Sequence, residues 1–435
     1  MAQYQWLTFA AAKQALAQRL ADPTNAFWTD IENGLYLAEA LRTWNALTEQ
    51  WNADFAFTPT SVPWYDLSRL PGSPRLRTLT DTYLYTVMEY HLLEPPTGGS
   101  WTGTSQFNIS DLSQSLQSAR DEMIQTSGCN IAQMGPLPSV PNTRRIYLPD
   151  STLEPRRARF MPDSGAPNTM TREDNLAWDS FEPDHAQTPR VPQSWGVISG
   201  PPLAFDVDTG PNVAGRYDVL ALMAGIPFNP PASTLLGIPD DWSWVAKWGA
   251  LAELLGRDSE ATDRERAAYC QKRYEDGLKI MEHSNWLLTG TINGIPVDTP
   301  AVRQQDGYAP EWQNDGSAWP AIVTAGMDFF APCPVGGSPR GVSLVVIGNA
   351  PIPVLDTEFV QISRDAFDVI LDYSQVLASL KMGGTEFSDT KVLEKNFFQF
   401  AMETNKRLAA MGLFRDMLGL EGRRQDINQP RKKGE

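Results

Sequence analysis

The chain has 435 residues, 36 Lys and Arg against 52 Asp and Glu, a formal charge of −16, and only 3 His and 3 Cys. That acidity argues against a protein that grips nucleic acid over a broad face, because holding phosphates needs a basic surface. Cys129, Cys270 and Cys333 are too few and too far apart for a disulfide scaffold and fit a reducing compartment, while His91, His185 and His283 have no His or Cys at metal-ligand spacing.

In chain order, the first predicted element is a helix from about Phe9 to Leu20, broken by Asp22-Pro23. A longer helix follows, because Ile31, Leu35, Ala38, Leu41, Trp44, Leu47 and Trp51 recur as one apolar stripe. Thr29 and Glu32 have the spacing of a capping box at its start. Asp54 to Thr58 reads as a strand leaving that helix. Two more helices are expected near Leu79 to Leu93 and Ser110 to Thr126, with Pro95-Pro96 between them.

Residues 136–240 hold 17 of the 34 prolines. Proline lacks an amide donor and fixes φ, so this stretch is expected to hold neither long helix nor central sheet. Short strands at Arg145 to Leu148, Leu203 to Val207 and Arg216 to Leu222 are expected in proline-stiffened loops. Helix returns at Asp240, where Asp240 or Asp241 is placed to cap a stripe of Trp244, Trp248, Leu251 and Leu255 that ends at Gly256. Thr262 and Glu265 form a second capping box, opening a helix with Ala267, Cys270, Tyr274, Leu278 and Met281 on one face.

Val342 to Ile347 is the strongest strand signal in the chain. Ser363 is placed to cap a helix bearing Phe367, Ile370, Tyr373, Leu377 and Leu380; Gly383-Gly384 breaks it, and a last helix carries Leu393, Phe397, Phe400, Leu408 and Met411. Residues 244–281 and 370–407 overlay at an offset of 126, either as an internal duplication or because every αα-hairpin needs the same stripe. The predicted fold class is α+β: helical hairpins or a bundle with inserted small β elements and long Pro-rich loops. Its predicted parts are an N-terminal helical region (1–135), a Pro-rich β/loop region (136–240), a helical hairpin (241–290), a second β/loop region (291–362), a second helical hairpin (363–412) and a basic segment (413–435).

The search for chemistry yields no catalytic, cofactor-binding or metal-binding residue. No P-loop, dinucleotide-binding glycine pattern, zinc-protease, nucleophile-elbow or Cys-x-x-Cys motif occurs. Asp206-Val-Asp208-Thr-Gly210 is the nearest approach to a calcium loop, but its glycine comes one residue early, so a strand ending in an Asx turn is expected. Glu182, Asp184 and His185 have acid–base composition, yet Pro183 within the cluster and Pro189 after it mark a solvated loop. His91 and His283 lie near helix ends beside Glu94 and Glu282, where a charged imidazole suits the helix dipole. Asn108-Ile-Ser110 is a formal glycosylation sequon that reads as the N-cap of the next helix.

Of the 14 tryptophans, Trp28, Trp44, Trp51, Trp244 and Trp248 fall on helical stripes. Trp64, Trp101, Trp195, Trp312 and Trp319 stand instead among Pro, Gly and Ser, as anchors on a neighbouring subunit or as rings stacked on a sugar. No run approaches the roughly 18 apolar residues of a membrane span, and the N-terminus lacks the pattern of a signal peptide, so neither membrane insertion nor export by that route is expected. The last 13 residues carry Arg423, Arg424, Arg431, Lys432 and Lys433 against Asp426 and Glu435, a net +3 that leaves −19 on the rest. They read as a solvated tail or as an arm that docks on an acidic partner or a phosphate backbone.

Several of these segments resemble a known family. Phe27-Trp28-Thr-Asp-Ile-Glu32, with Glu39 to Thr48 and Trp51, resembles the N-terminal helix of tailed-phage virion proteins. Asp240 to Leu255, Arg266 to Gly277, and Tyr373 to Asn405 with Lys381-Met-Gly-Gly-Thr-Glu-Phe387 are similar in kind. Together they resemble the head-to-tail adaptor (neck) proteins of short-tailed bacteriophages. The resemblance implies a non-enzymatic virion protein without cofactor, assembled in the host cytoplasm as a homo-oligomeric ring, commonly dodecameric. That ring would join the portal protein to the tail nozzle or other tail proteins and continue the channel through which genomic DNA passes without sequence-specific binding. The basic residues Arg423, Arg424, Arg431, Lys432 and Lys433 would then dock on the portal. Two other readings stay open: another tail, collar or nozzle component, and a glycan-binding or glycan-active protein built around Trp312, Trp319 and Glu311.

Overall fold

A computed structural model describes residues 4–48, 77–92, 107–164, 202–257, 263–281 and 350–405, most of 168–200, and the backbone at 51–57, 65–66, 282–289, 291–292, 295–296, 329–330 and 342–348. Helix α1 (Phe9–Arg19) opens at Thr8, whose Oγ1 accepts from the Ala11 amide. Helix α2 (Asp30–Thr48) starts at the expected capping box: Thr29 N donates to Glu32 Oε2 at 2.8 Å and Glu32 N donates to Thr29 Oγ1 at 3.3 Å. Strand β1 (Trp51–Phe57) follows and pairs with a late strand, while β2 is Tyr65–Asp66.

Helix α3 spans Asp81–His91 and α4 spans Ile109–Ser127. Asn108 is the N-cap of α4, its Oδ1 accepting from Asp111 N at 2.9 Å, and Gly128 ends the helix at φ +65°, a conformation that glycine adopts without strain.

Helix α5 (Ser243–Gly256) begins after a 3-10 turn at Asp240–Trp242, but neither acid caps it. Asp240 accepts from Thr78 N and Leu79 N at 2.8 and 2.9 Å, and Asp241 accepts from Asn45 Nδ2 at 3.2 Å. The acids tie the start of α5 to the approach to α3 and to α2 instead. Helix α6 (Arg264–Thr289) takes its cap from Asp263, which accepts from Arg266 N at 3.0 Å; Thr262 lies outside the described residues. Helix α7 (Arg364–Ser379) has Ser363 at its N-cap position without a side-chain bond. A short α8 (Gly384–Asp389) precedes α9 (Lys391–Thr404), and Leu408 and Met411 lie outside the described residues.

These helices share one core. Trp244, Trp248, Leu251 and Leu254 of α5 are fully or almost fully buried, as are Tyr373 and Leu377 of α7 and Phe397 of α9. Tyr373 stacks on Phe397 at 4.3 Å. Helices α4, α5 and α6 approach closely at Gly249, where a Cβ would sit 2.8 Å from Ala119 Cβ and 2.9 Å from the Tyr274 ring. Gly249→Ala is therefore expected to lower stability by about 1–3 kcal/mol through overpacking, despite the better helix propensity of alanine. Urea unfolding of the two chains measures it.

The middle of the chain overturns the expected fold class. Instead of small β elements inserted among helices, it builds a curled, mixed sheet of eight strands. The strands are β3 (Ile131–Gln133), β4 (Leu137–Ser139), β5 (Arg145–Tyr147), β6 (Thr152–Pro162), β7 (Asn168–Arg172), β8 (Ser194–Ile198), β9 (Ala204–Val207) and β10 (Gly215–Met223). Their order is β3-β10-β6-β7-β8-β9-β5, with β4 also on β10; β7 and β8 are parallel and the other pairs antiparallel.

Strand β6 is the longest and pairs on both sides, although it contains Pro155. Opposite it, Leu220 pairs with Arg157 and Ala221 with Pro155, so Arg156 is bulged out and the proline sits where the ladder is already broken. The exclusion of central sheet from the proline-rich stretch fails at that bulge. A second core lies on this sheet, formed by Phe160, Trp195, Phe205, Val207, Tyr217 and their neighbours. Strand β10 serves both cores: Tyr217, Val219 and Ala221 enter the sheet core and Leu222 enters the helical one.

Among the remaining strands, β11 (Thr291–Ile292) pairs with β12 (Ile295–Pro296), β13 (Phe329–Phe330) with β2, and β14 (Val342–Gly348) with β1. Among the described residues no helix is long and apolar enough to cross a membrane.

Candidate interaction site

Charge buried inside the helical body comes first, because it fixes the helices that carry the surface. Lys247 of α5 reaches both carboxylate oxygens of Glu39 of α2, at 2.5 and 2.6 Å, with both side chains almost fully buried. Its Nζ lies 3.2 Å from His91 Nε2 and 3.9 Å from the centre of the Trp248 ring. Arg266 donates to the His91 carbonyl at the end of α3.

His91 was expected to carry charge at a helix end. Burial, with the cations Lys247, Arg266 and Lys381 around it, holds its pKa well below the ordinary histidine range and keeps the ring neutral. Below about pH 6.5 the unfolded chain takes up a proton that the folded one refuses, so stability falls as pH drops, by up to about 1.4 kcal/mol per unit. His91→Gln should remove that part of the slope in urea titrations at pH 7.5 and 5.5.

Toward the surface, α6 and α9 run beside a groove of about 780 Å³. Its floor holds Arg273, which lies 3.4 Å from Glu394, donates to Tyr373 Oη at 2.5 Å and stacks over Phe398 at 4.5 Å. Tyr269 donates to Glu394 at 2.8 Å. Arg273 is 1% exposed, and its Nη1 has no hydrogen-bond partner among the described residues. The exposed rim carries three lysines, Lys272 from α6 and Lys391 and Lys395 from α9, against one acid, Glu265 of α6, while Ala268 and Val392 offer apolar surface between them. Cys270 on the same helix points inward; burial pushes its thiol up to about 12, leaving it an inert packing residue.

A second exposed feature lies at the start of α1. Residues Val354 to Glu358 form a turn in which Glu358 N donates to the Leu355 carbonyl and the Glu358 carboxylate accepts from the amides of Val354 and Leu355 at 2.6 and 2.9 Å. Those amides hold the Glu358 carboxyl below its usual range. The turn is fastened to α1: Phe9 N donates to the Glu358 carbonyl at 2.8 Å, and Lys13 pairs with Asp356 at 2.7 Å. It presents Val354 at 81% and Leu355 at 61% exposure.

Other candidates from the sequence fall elsewhere. Asp206 pairs with Arg145 at 3.0 Å, and Asp208 accepts from Gln193 N and Ser194 N at 3.1 and 3.4 Å rather than closing an Asx turn. Both acids tie strands together, and among the described residues no group of three His, Cys, Asp or Glu is placed to hold a metal. Trp195 is 1% exposed in the sheet core, so it is neither a subunit anchor nor a sugar platform. Trp64, Trp101, Trp312, Trp319, Glu311, the cluster Glu182, Asp184 and His185, the side chain of His283, and Cys333 lie outside the described residues. So do Arg423, Arg424, Arg431, Lys432 and Lys433. The groove and the turn were not singled out from sequence. Lys391 and Lys395 one helical turn apart were the available signal for the groove, and the exposed pair Val354-Leu355 between Pro353 and Asp356 for the turn.

What the described surface offers is contact: an acidic body, a cationic groove and a rigid apolar turn. Residues 100–291 match the family model of the SU10 adaptor protein, a little under half of the chain. The match takes in α4, the whole eight-stranded sheet, α5 and α6. It bears out the resemblance to head-to-tail adaptor proteins, and of the segments that carry it Asp240 to Leu255 and Arg266 to Gly277 lie inside the match. No curated protein matches the chain.

Proposed function

We propose that this protein is a non-enzymatic structural component of a phage virion, a head-to-tail adaptor that forms a ring between portal and tail. The observation that carries the proposal is the adaptor match across the sheet and the helices flanking it. The charge distribution supports the rest. A body of −19 lining a channel would let DNA slide without the salt-dependent adhesion of a basic wall, and the +3 segment with Arg423, Arg424, Arg431, Lys432 and Lys433 would dock on the portal. Electron microscopy of particles assembled without this protein tests it. Filled heads that carry a portal but no tail are expected, and particles that attach tails normally in its absence would remove the proposal.

A further inference from the structure

The α6/α9 groove and the Val354–Glu358 turn are complementary and are built by different elements, the turn being fastened to α1. The turn rides on α1, which meets α7 through Arg19, at 2.9 Å from Asp372, and the segment before α1 meets it through Trp6, at 5.5 Å from Phe367. Helix α9 meets α7 elsewhere, on the Tyr373 side. The groove combines lysines at its rim with exposed Val392 and Ala268 and a buried, incompletely bonded arginine in its floor. The turn combines two exposed aliphatic side chains with the carboxylates of Asp356 and Glu358.

Resting on the adaptor reading, we propose that the turn of one copy seats in the groove of the next. Val354 and Leu355 cover Val392 and Ala268, and Asp356, whose carboxylate stays 61% exposed beside Lys13, faces Lys391, Lys395 and Lys272, while Glu358 keeps the turn in shape through its own amides. The turn is already ordered by its own hydrogen bonds, so little conformational freedom is lost on docking. Because the contact joins two different patches, it is heterologous, and repetition by a closing rotation gives a ring rather than a two-fold dimer.

The test uses the full chain and two variants, Val354→Asp/Leu355→Asp and Lys391→Glu/Lys395→Glu, whose substituted side chains are all exposed. Mass photometry should find rings for the native chain and loss of that species for each variant alone, with unchanged circular dichroism. Mixing the two variants leaves one intact contact per pair, so 1:1 dimers should form that grow no further. Copies carrying Val354→Cys mixed with copies carrying Lys395→Cys should crosslink on oxidation, a readout that stands even if a charged variant misfolds. Rings from either charged variant, absence of both mixed dimer and crosslink, or a native chain that stays monomeric would overturn the contact. Tail attachment to particles judges the adaptor reading separately, and it survives if rings persist without this contact.

Discussion

Lys247→Met is expected to destabilise the helical body by about 3–5 kcal/mol, because it leaves the Glu39 carboxylate buried without its cation. Three elements meet at this ammonium: α2 through Glu39, α3 through His91 and α5 through Lys247 itself. Burial pulls the Lys247 ammonium below its ordinary range while Glu39 works against that, so the pair persists only as a pair. The companion experiment is Glu39→Leu with Lys247→Met. Replacing both charges by apolar side chains removes the desolvation cost together with the attraction, and most of the lost stability should return. Guanidinium unfolding of the two single variants and the double gives the coupling, and simple addition of the single losses would contradict this account.

Trp195→Ala should cost about 3–5 kcal/mol, and the loss should appear in the sheet. Its ring packs edge-on against Phe205 at 6.1 Å, and Arg172 lies over it at 5.6 Å. Phe205 in turn meets Tyr217, so removing the indole opens a cavity in the middle of the second core. Because the helical core is a separate cluster, hydrogen exchange should rise in β8, β9 and β10 while α5 and α6 keep their protection. A variant whose sheet stays protected and which loses only self-association would return Trp195 to the role of subunit anchor.

The helices were legible because their signals are local. The stripe from Trp244 to Leu255, the Thr29–Glu32 box and the Asn108 cap each lie within a few residues of the structure they specify. Strand β6 was not, since Pro155 and Pro162 place it in the proline-rich stretch that reads as loop. What makes it a central strand is a bulge opposite Leu220–Ala221, a property of the pairing rather than of either segment. His91 was misread for a related reason: its own neighbourhood in sequence suggests a solvated helix end, and Lys247, from 156 positions away, fills the space beside it. The interaction site was the least visible part. Its groove joins α6 to α9 across more than a hundred residues, and the turn is defined by exposure, which no spacing rule reports.

The sheet's eight strands all fall between Ile131 and Met223, whereas the helical body draws on segments both before and after them. During synthesis all eight of these strands are therefore delivered before the late partners of the first helices exist. The amides of Phe9 and Ala10 wait for Glu358 and Asp356, and Trp44 waits for Phe397 and Phe400. At ribosomal speeds of about 5–20 residues per second, that interval is roughly ten seconds or more. Until then the nascent chain holds all the strands of the sheet while the faces of α1 and α2 that meet Glu358 and Phe397 stay uncovered, a period in which a chaperone would have surface to shield.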